Sequence, residues 1–311
     1  MVRCGRRATP RRAVLDGADE VRLSSNGVSE TGPLVRSVSD TALWVAVYRA
    51  RETERPDALF RDPHARRLAG ARGEQIAASM PFSDKATWAW VARTVLFDQF
   101  IEEQVRAGAD LVVNLAAGLD ARPYRMVLPP SLRWVEVDLP GILAYKEEIL
   151  RGEKPVCVLE RVRLDLRDVA ARRELFDRLG RSARRALIVA EGLLIYLSPE
   201  EVGSLAEDLA SPPGLGHWVL DLASPGLLRM IQKDSGPQFS AAGVALKFGP
   251  PEGPAFFVPH GWKPVDVRSP LKTAARLKRL GFGMRLLARL PEASGTQGSR
   301  PWSGVCLFEK A

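Results

Sequence analysis

Leu111-Val-Val-Asn-Leu115 runs into Ala116-Ala-Gly-Leu-Asp120-Ala-Arg122, and Arg133-Trp-Val-Glu-Val-Asp138 follows. Two short apolar runs, one ending in a small-residue loop around Gly118 and the other in an acid, read as buried strands rather than helices. The same unit recurs outward along the chain. Pro155 to Leu164, Ala186 to Ala190 and His217 to Leu222 are further apolar runs, and 140–151, 168–179 and 199–210 between them have helical patterning. Strands alternating with helices imply parallel strands joined by right-handed crossovers. The expected fold class is therefore α/β: a doubly wound, mostly parallel seven-stranded sheet. Val265 to Arg268, a helix near Leu271 to Leu280, and a last strand at Gly304 to Glu309 complete it.

Upstream, residues 40–54 read as a helix capped by Asp40, a second helix starts at Asp62-Pro63, and a third runs from about Lys85 to Ala107, ended by Gly108. The segment 224–262 interrupts the rhythm. It is rich in Gly, Pro and Phe, which suggests a cap over the sheet. The expected organisation is a flexible basic tail over 1–35 and a single domain over 36–311, with 36–108 as a helical lid and 224–262 as an insertion.

The net charge of +8 raises the question of nucleic acid. Seven arginines and four acids fall in residues 1–36, so the tail supplies +3 of it, and the remaining arginines are interleaved with Glu and Asp. The expectation is a small-molecule acceptor, no nucleic acid and no membrane, since no run of 18 apolar residues exists to cross one. Cys4, Cys157 and Cys306 fit no zinc spacing and point to a reducing cytoplasm. No apolar stretch follows the N-terminal arginines, as a cleaved secretory signal would require. No metal-ligand cluster is expected.

In doubly wound sheets the ligand lies at the carboxyl ends of the strands. Gly118 allows a tight turn there, although glycine serves turn geometry alone in many α/β proteins. Asp138, about 20 positions on, suits the two hydroxyls of a ribose; the alternative is a cap for the helix starting at Pro140. Asp165 suits an adenine amino group with Leu166 covering the ring, or again a cap. Glu191-Gly192 ends the fourth strand in an apolar setting, where a carboxylate needs a partner.

The wording of these motifs resembles the leucine carboxyl methyltransferase-like family, in its bacterial branch of S-adenosylmethionine-dependent methyltransferases. Asp40-Thr-Ala, Tyr48-Arg-Ala, Glu54-Arg-Pro-Asp-Ala-Leu-Phe-Arg-Asp-Pro63, Arg93-Thr and Phe97-Asp98 carry it. So do Asn114-Leu-Ala-Ala-Gly-Leu-Asp-Ala-Arg-Pro-Tyr-Arg125, Trp134-Val-Glu-Val-Asp-Leu-Pro140 and Glu191-Gly-Leu-Leu-Ile-Tyr-Leu-Ser198. The resemblance is strong over roughly residues 38–210 and loose beyond. It implies S-adenosyl-L-methionine as cofactor, held by Gly118, Asp138, Asp165, Leu166 and Glu191, with Arg93 gripping the cofactor carboxylate in bidentate fashion. For Arg93 the alternative is an ion pair with a neighbouring acid. Two departures stand out: Ala116 replaces a glycine frequent in the family loop, and the lysine that protein-directed members carry in the first helix is missing from the apolar region around Trp44.

The resemblance implies in-line methyl transfer to a carboxylate or hydroxyl of a small molecule. A carboxylate needs no general base, whereas a hydroxyl does. Among the histidines, His64 and His217 read as structural and His260, inside the insertion, is a weak candidate base. Phe239, Phe248, Phe256, Phe257 and Trp262 suit an aromatic acceptor or simply pack the insertion down. A nicotinamide dehydrogenase lacks support because the full Gly-x-Gly-x-x-Gly fingerprint is absent. A nucleotide-binding module without turnover stays open on the sequence alone.

Overall fold

The computed structural model describes residues 35, 37–80, 83–241, 244–290, 298 and 300–311, and apart from Val35 the basic tail lies outside them. Three helices lead in: α1 (Val38–Thr53), α2 (Ala65–Ser79) and α3 (Ser83–Arg106). Asp40 is not the N-cap residue of α1, which is Ser37, but the other member of its capping box. It is the third helical residue and its carboxylate accepts the Ser37 backbone N–H at 3.2 Å, so the helix starts two residues earlier than expected. The Asp62 carboxylate is drawn to Arg49 at 2.9 Å and to the His64 N–H at 3.2 Å, which delays α2 to Ala65.

The sheet follows: β1 (Leu111–Leu115), α4 (Arg122–Arg125), β2 (Arg133–Asp138), α5 (Pro140–Ile149), β3 (Val158–Arg163), α6 (Val169–Ser182), β4 (Ala186–Ala190), α7 (Pro199–Ala210) and β5 (Leu215–Ala223). After it come α8 (Pro225–Ala241), a 3-10 stretch over Gly253–His260, β6 (Trp262–Arg268), α9 (Pro270–Arg276), α10 (Phe282–Leu287) and β7 (Ser303–Lys310). Strand order is β3-β2-β1-β4-β5-β7-β6. The first five strands are parallel, and β7 inserts antiparallel between β5 and β6. The expected seven-stranded, mostly parallel α/β fold is thus present. The expected insertion is a helix, α8, followed by coil and the 3-10 stretch.

Alternation along β1 shows why the sheet is covered on both sides. Leu111, Val113 and Leu115 pack with Leu175, Phe176, Val202 and Leu205 of α6 and α7, while Val112 packs with Leu96, Phe97, Phe100 and Ile101 of α3. Successive strand side chains point to opposite faces, so a strand apolar throughout needs a helix on each. Burying one such side chain contributes about 1.5–3 kcal/mol. A separate cluster joins α1 and α2 to Leu119 and Ile142, seating these helices above the carboxyl end of the sheet. Strand order reverses between β1 and β4, which opens a crevice at that end.

Candidate active site

The loop after β1 is the floor of the crevice. Ala116 and Gly118 both take left-handed backbone angles, with φ of 50° and 47°. The Gly118 N–H then points at β2 and donates to Asp138 Oδ2 at 2.6 Å; Oδ1 accepts the Leu139 N–H at 2.7 Å. A Cβ on Gly118 would lie 3.2 Å from Ala42 Cβ of α1, so glycine is also what allows the lid to sit this close. Burial pushes the Asp138 carboxyl above its ordinary range, and the two N–H donors only partly offset this.

Beside it lies a continuous charge network. Arg93 of α3 reaches Glu191 at 3.1 Å and Asp221 at 3.2 Å, and the Gly192 N–H donates to Asp221 at 2.6 Å. Gly192 has φ of 69°, and a Cβ there would stand 3.2 Å from an Arg93 terminal nitrogen; the glycine makes room for the guanidinium. Arg122, almost fully buried, joins Asp98 at 2.6 Å, Asp120 at 2.9 Å and Glu191 at 2.8 Å. Asn114 Nδ2 donates to Asp120 at 2.8 Å, and Arg125 holds Asp98 at 2.7 and 2.8 Å. Burial would raise Asp120, but Arg122, Lys146 and other cations outweigh it and hold the group well below the carboxylate range. Asp221 is the opposite case: burial dominates, Arg93 compensates only in part, and its carboxyl is raised.

Arg93, Asn114, Gly118, Asp120, Arg122, Asp138, Glu191 and Asp221 all line one cavity of about 1150 Å³. Small-molecule pockets typically measure roughly 300–1,000 Å³, so this one has room for a nucleoside cofactor and an acceptor together. Its charged lobe contains Asp120, Asp138, Glu191 and Asp221, from the ends of β1, β2, β4 and β5. Elsewhere the wall is largely apolar, with Trp44, Trp90, Ile231, Leu246, Phe248 and Met284, and carries Arg49, Glu52, Asp234 and Arg279 among its charged members. Trp90 stacks parallel to Tyr48 with ring centres 6.0 Å apart and carries the Arg93 guanidinium 4.6 Å above its ring. Tyr196 is half-buried in the wall; its desolvation raises the phenol, with a hydrogen bond to Thr41 and the Arg93 charge working against the rise.

Of the residues expected from sequence, Arg93, Gly118, Asp138 and Glu191 come together here. Arg93 is ion-paired with acids, as its alternative reading had it, yet within the cavity rather than on the surface. Asp165 and Leu166 are not part of the cavity wall. Arg167 clamps Asp165 with side-chain bonds and with its backbone N–H at 2.9 Å, while Leu166 packs on the sheet core. His260 is corrected as a candidate base: its Nδ1 bonds Glu207 at 2.9 Å and its ring abuts Gly203, both on α7 and outside the cavity. His64 stacks edge-on to Tyr124, and His217 sits 3.0 Å from Arg185, with burial and that charge lowering its pKa.

Most insertion aromatics also lie elsewhere. Phe257 and Trp262 pack edge-on to Trp218, whereas Phe248 reaches the cavity; the Phe239 side chain is outside the described residues. The sequence reading missed Asp120, Arg122 and Asp221. The rule that selected Asp138 and Glu191, an acid at a strand end, applies equally to Asp221, two residues before the end of β5. Among the described residues no cluster of three His, Cys, Asp or Glu is placed to hold a metal, and no helix is long and apolar enough to cross a membrane.

The family model described as leucine carboxyl methyltransferase matches residues 42–210. Two relatives bear the name "putative S-adenosyl-L-methionine-dependent methyltransferase". The one from Mycobacteroides abscessus is 35% identical over 271 residues, covering 79% of this chain and 89% of its own. The one from Streptomyces coelicolor is 34% identical over 238 residues, covering 72% and 82%. Among solved structures, a DUF574 family protein from Streptomyces avermitilis superposes with a TM-score of 0.54 at 14% identity, over 86% of this chain and 97% of its own. A protein described as a methyltransferase from Thermobifida fusca gives 0.53 at 16% identity, over 89% and 96%. At these identities the two structures speak for the fold alone.

Proposed function

We propose, from the premise that this chain belongs to the leucine carboxyl methyltransferase family and is an S-adenosylmethionine-dependent methyltransferase, that it methylates oxygen on a small molecule, a carboxylate before a hydroxyl. One observation carries the reading: carboxylates from the β1 loop and the ends of β2, β4 and β5 gather in one part of a cavity whose remaining wall is largely apolar.

The residues present fit the cofactor. S-adenosylmethionine has two positive groups and one carboxylate, so it suits a lobe with four acids and two guanidiniums, Arg93 and Arg122. Asp138, with one N–H already on each oxygen, keeps acceptor capacity for a ribose. Arg93 is placed for the cofactor carboxylate, and Glu191 and Asp221 hold its guanidinium at a fixed orientation. When bound, the cofactor supplies an electrophilic sulfonium methyl together with its own leaving group. Asp165 and Leu166 are not carried into this proposal.

The chain's remaining task is to align the acceptor and exclude water. Helices α1, α3 and α8 cover the crevice with apolar side chains, and they serve as its lid. No histidine, cysteine or lysine is found among the described residues lining the cavity. An acceptor that must lose a proton therefore meets only carboxylates and the Tyr196 phenol there, which favours a carboxylate acceptor, ionised at neutral pH and in need of no base. The test incubates the protein with methyl-labelled cofactor and a cell extract, then separates products by size and treats them with mild base. Label in small molecules, released by base as from a methyl ester, is expected. Label in protein or nucleic acid overturns the reading.

A further inference from the structure

Residues 270–290 hold six cations and no acid. Elsewhere on the surface many arginines find carboxylates, as Arg66 does with Glu54, Arg178 with Glu160 and Arg268 with Glu103. Within 270–290, Arg279 turns back to Glu52 and Asp57. Arg276, Lys278, Arg285 and Arg289 stand exposed and make no ion pair among the described residues.

The same segment leaves large apolar side chains in water. Phe282 is 80% exposed, Leu290 58%, and Leu286 and Leu287 48% each. Met284 and Ala288 turn inward against Ala274 and Leu280, so the outward side of α10 and the turn after it carry the leucines together with Arg285 and Arg289, and Arg276 and Lys278 precede them at and just beyond the end of α9. Exposed apolar groups concentrated in nine residues mark a contact surface rather than ordinary scatter. Cations alone would suit nucleic acid; cations mixed with Phe and Leu match the charge and polarity of a lipid interface. The position adds to this, because Gly281 and Met284 belong to the wall of the large cavity.

We propose that this face docks on an anionic lipid surface, with Phe282, Leu286, Leu287 and Leu290 entering the acyl boundary and Arg276, Lys278, Arg285 and Arg289 meeting lipid phosphates. The part of the cavity wall formed by Gly281 and Met284 then lies next to the bilayer, an arrangement suited to an acceptor with an apolar tail. That extension rests on the proposed methyl transfer; the docking does not. The sequence-based expectation of no membrane rested on the lack of a spanning helix, which peripheral docking does not need.

Vesicle sedimentation with the full chain tests this, using phosphatidylcholine with and without phosphatidylglycerol. The parent binds the anionic vesicles only, and less as salt rises. Each cation near an anionic surface is worth about fivefold in binding, so Arg285→Gln with Arg289→Gln weakens binding by roughly 25-fold. Phe282→Ser with Leu290→Ser also weakens it, while thermal melts of these surface variants match the parent. The N-terminal arginines are common to parent and variants, so binding unchanged in both variants overturns the proposal. It is also overturned if the parent binds no vesicles, if the apolar variant instead abolishes a parent dimer in size exclusion with light scattering, or if the arginine variant abolishes binding to duplex DNA. No readout requires turnover, so failure here and failure of methyl transfer are separable.

Discussion

Asp138→Asn separates a ligand-binding carboxylate from one that merely pins a loop. The side chain keeps its shape, and an amide oxygen still accepts either the Gly118 or the Leu139 N–H, now held at 2.6 and 2.7 Å. What is lost is the charge and one acceptor. Burial already disfavours the ionised carboxyl, so losing the charge costs the unliganded protein little, and the N–H left without its acceptor costs about 1–3 kcal/mol. Cofactor binding responds differently. Two ribose hydrogen bonds to a charged group are worth about 1.5–3 kcal/mol each, and replacing the acceptor pair by an amide forfeits roughly 2–3 kcal/mol in total. At 1.4 kcal/mol per decade that is on the order of 30- to 150-fold in Kd. Calorimetry with S-adenosylhomocysteine, alongside urea unfolding, measures both. A Kd within a factor of about three of the parent's, with stability lowered, refutes the ribose role and leaves Asp138 as the latch of the Gly118 loop.

Arg122→Leu leaves Asp120 without its bonded cation and takes one of two arginines from Asp98 and Glu191 in a buried site, which costs about 3–5 kcal/mol of stability, read from urea unfolding. His260→Ala changes neither turnover nor cofactor affinity, because the ring bonds Glu207 on α7 away from the cavity; a tenfold loss of kcat would restore it as a base. Burial raises Asp138 and Asp221, so in the unliganded protein they contribute most to stability at low pH and lose that contribution as pH rises past the ordinary carboxylate value, about 4. A cationic ligand favours their ionised forms, so cofactor affinity climbs with pH through the same window and levels off by neutrality; calorimetry across pH 4.5 to 7.5 (roughly that window) showing flat affinity would contradict it.

Strand-like runs such as Leu111–Leu115 and Ala186–Ala190 were legible because a fully apolar run of five residues bounded by turn residues has few other uses. Asp138 and Glu191 were legible for the same reason, as acids abruptly ending such runs. Arg122 was not: its three partners come from α3, the β1 loop and the end of β4, and nothing in local spacing brings them together. Asp165 misled because a strand-end acid serves a ligand or its own neighbour equally well, and here Arg167, two residues on, takes it. The insertion aromatics misled likewise. Their composition suited a binding wall, but β6 begins at Trp262 and draws Phe257 and Trp262 into the core beside Trp218. The antiparallel β7 between β5 and β6 is a long-range pairing that local patterns do not encode.

The most direct test of oxygen methylation uses cofactor labelled with carbon-13 at the methyl group. After incubation with the full chain and a small-molecule extract, the carbon shift of the transferred methyl reports the atom it is bonded to. The account predicts new methyl signals in the oxygen-bonded range, dependent on protein and reduced in Asp138→Asn at limiting cofactor. Transfer confined to nitrogen, carbon or sulfur would contradict it.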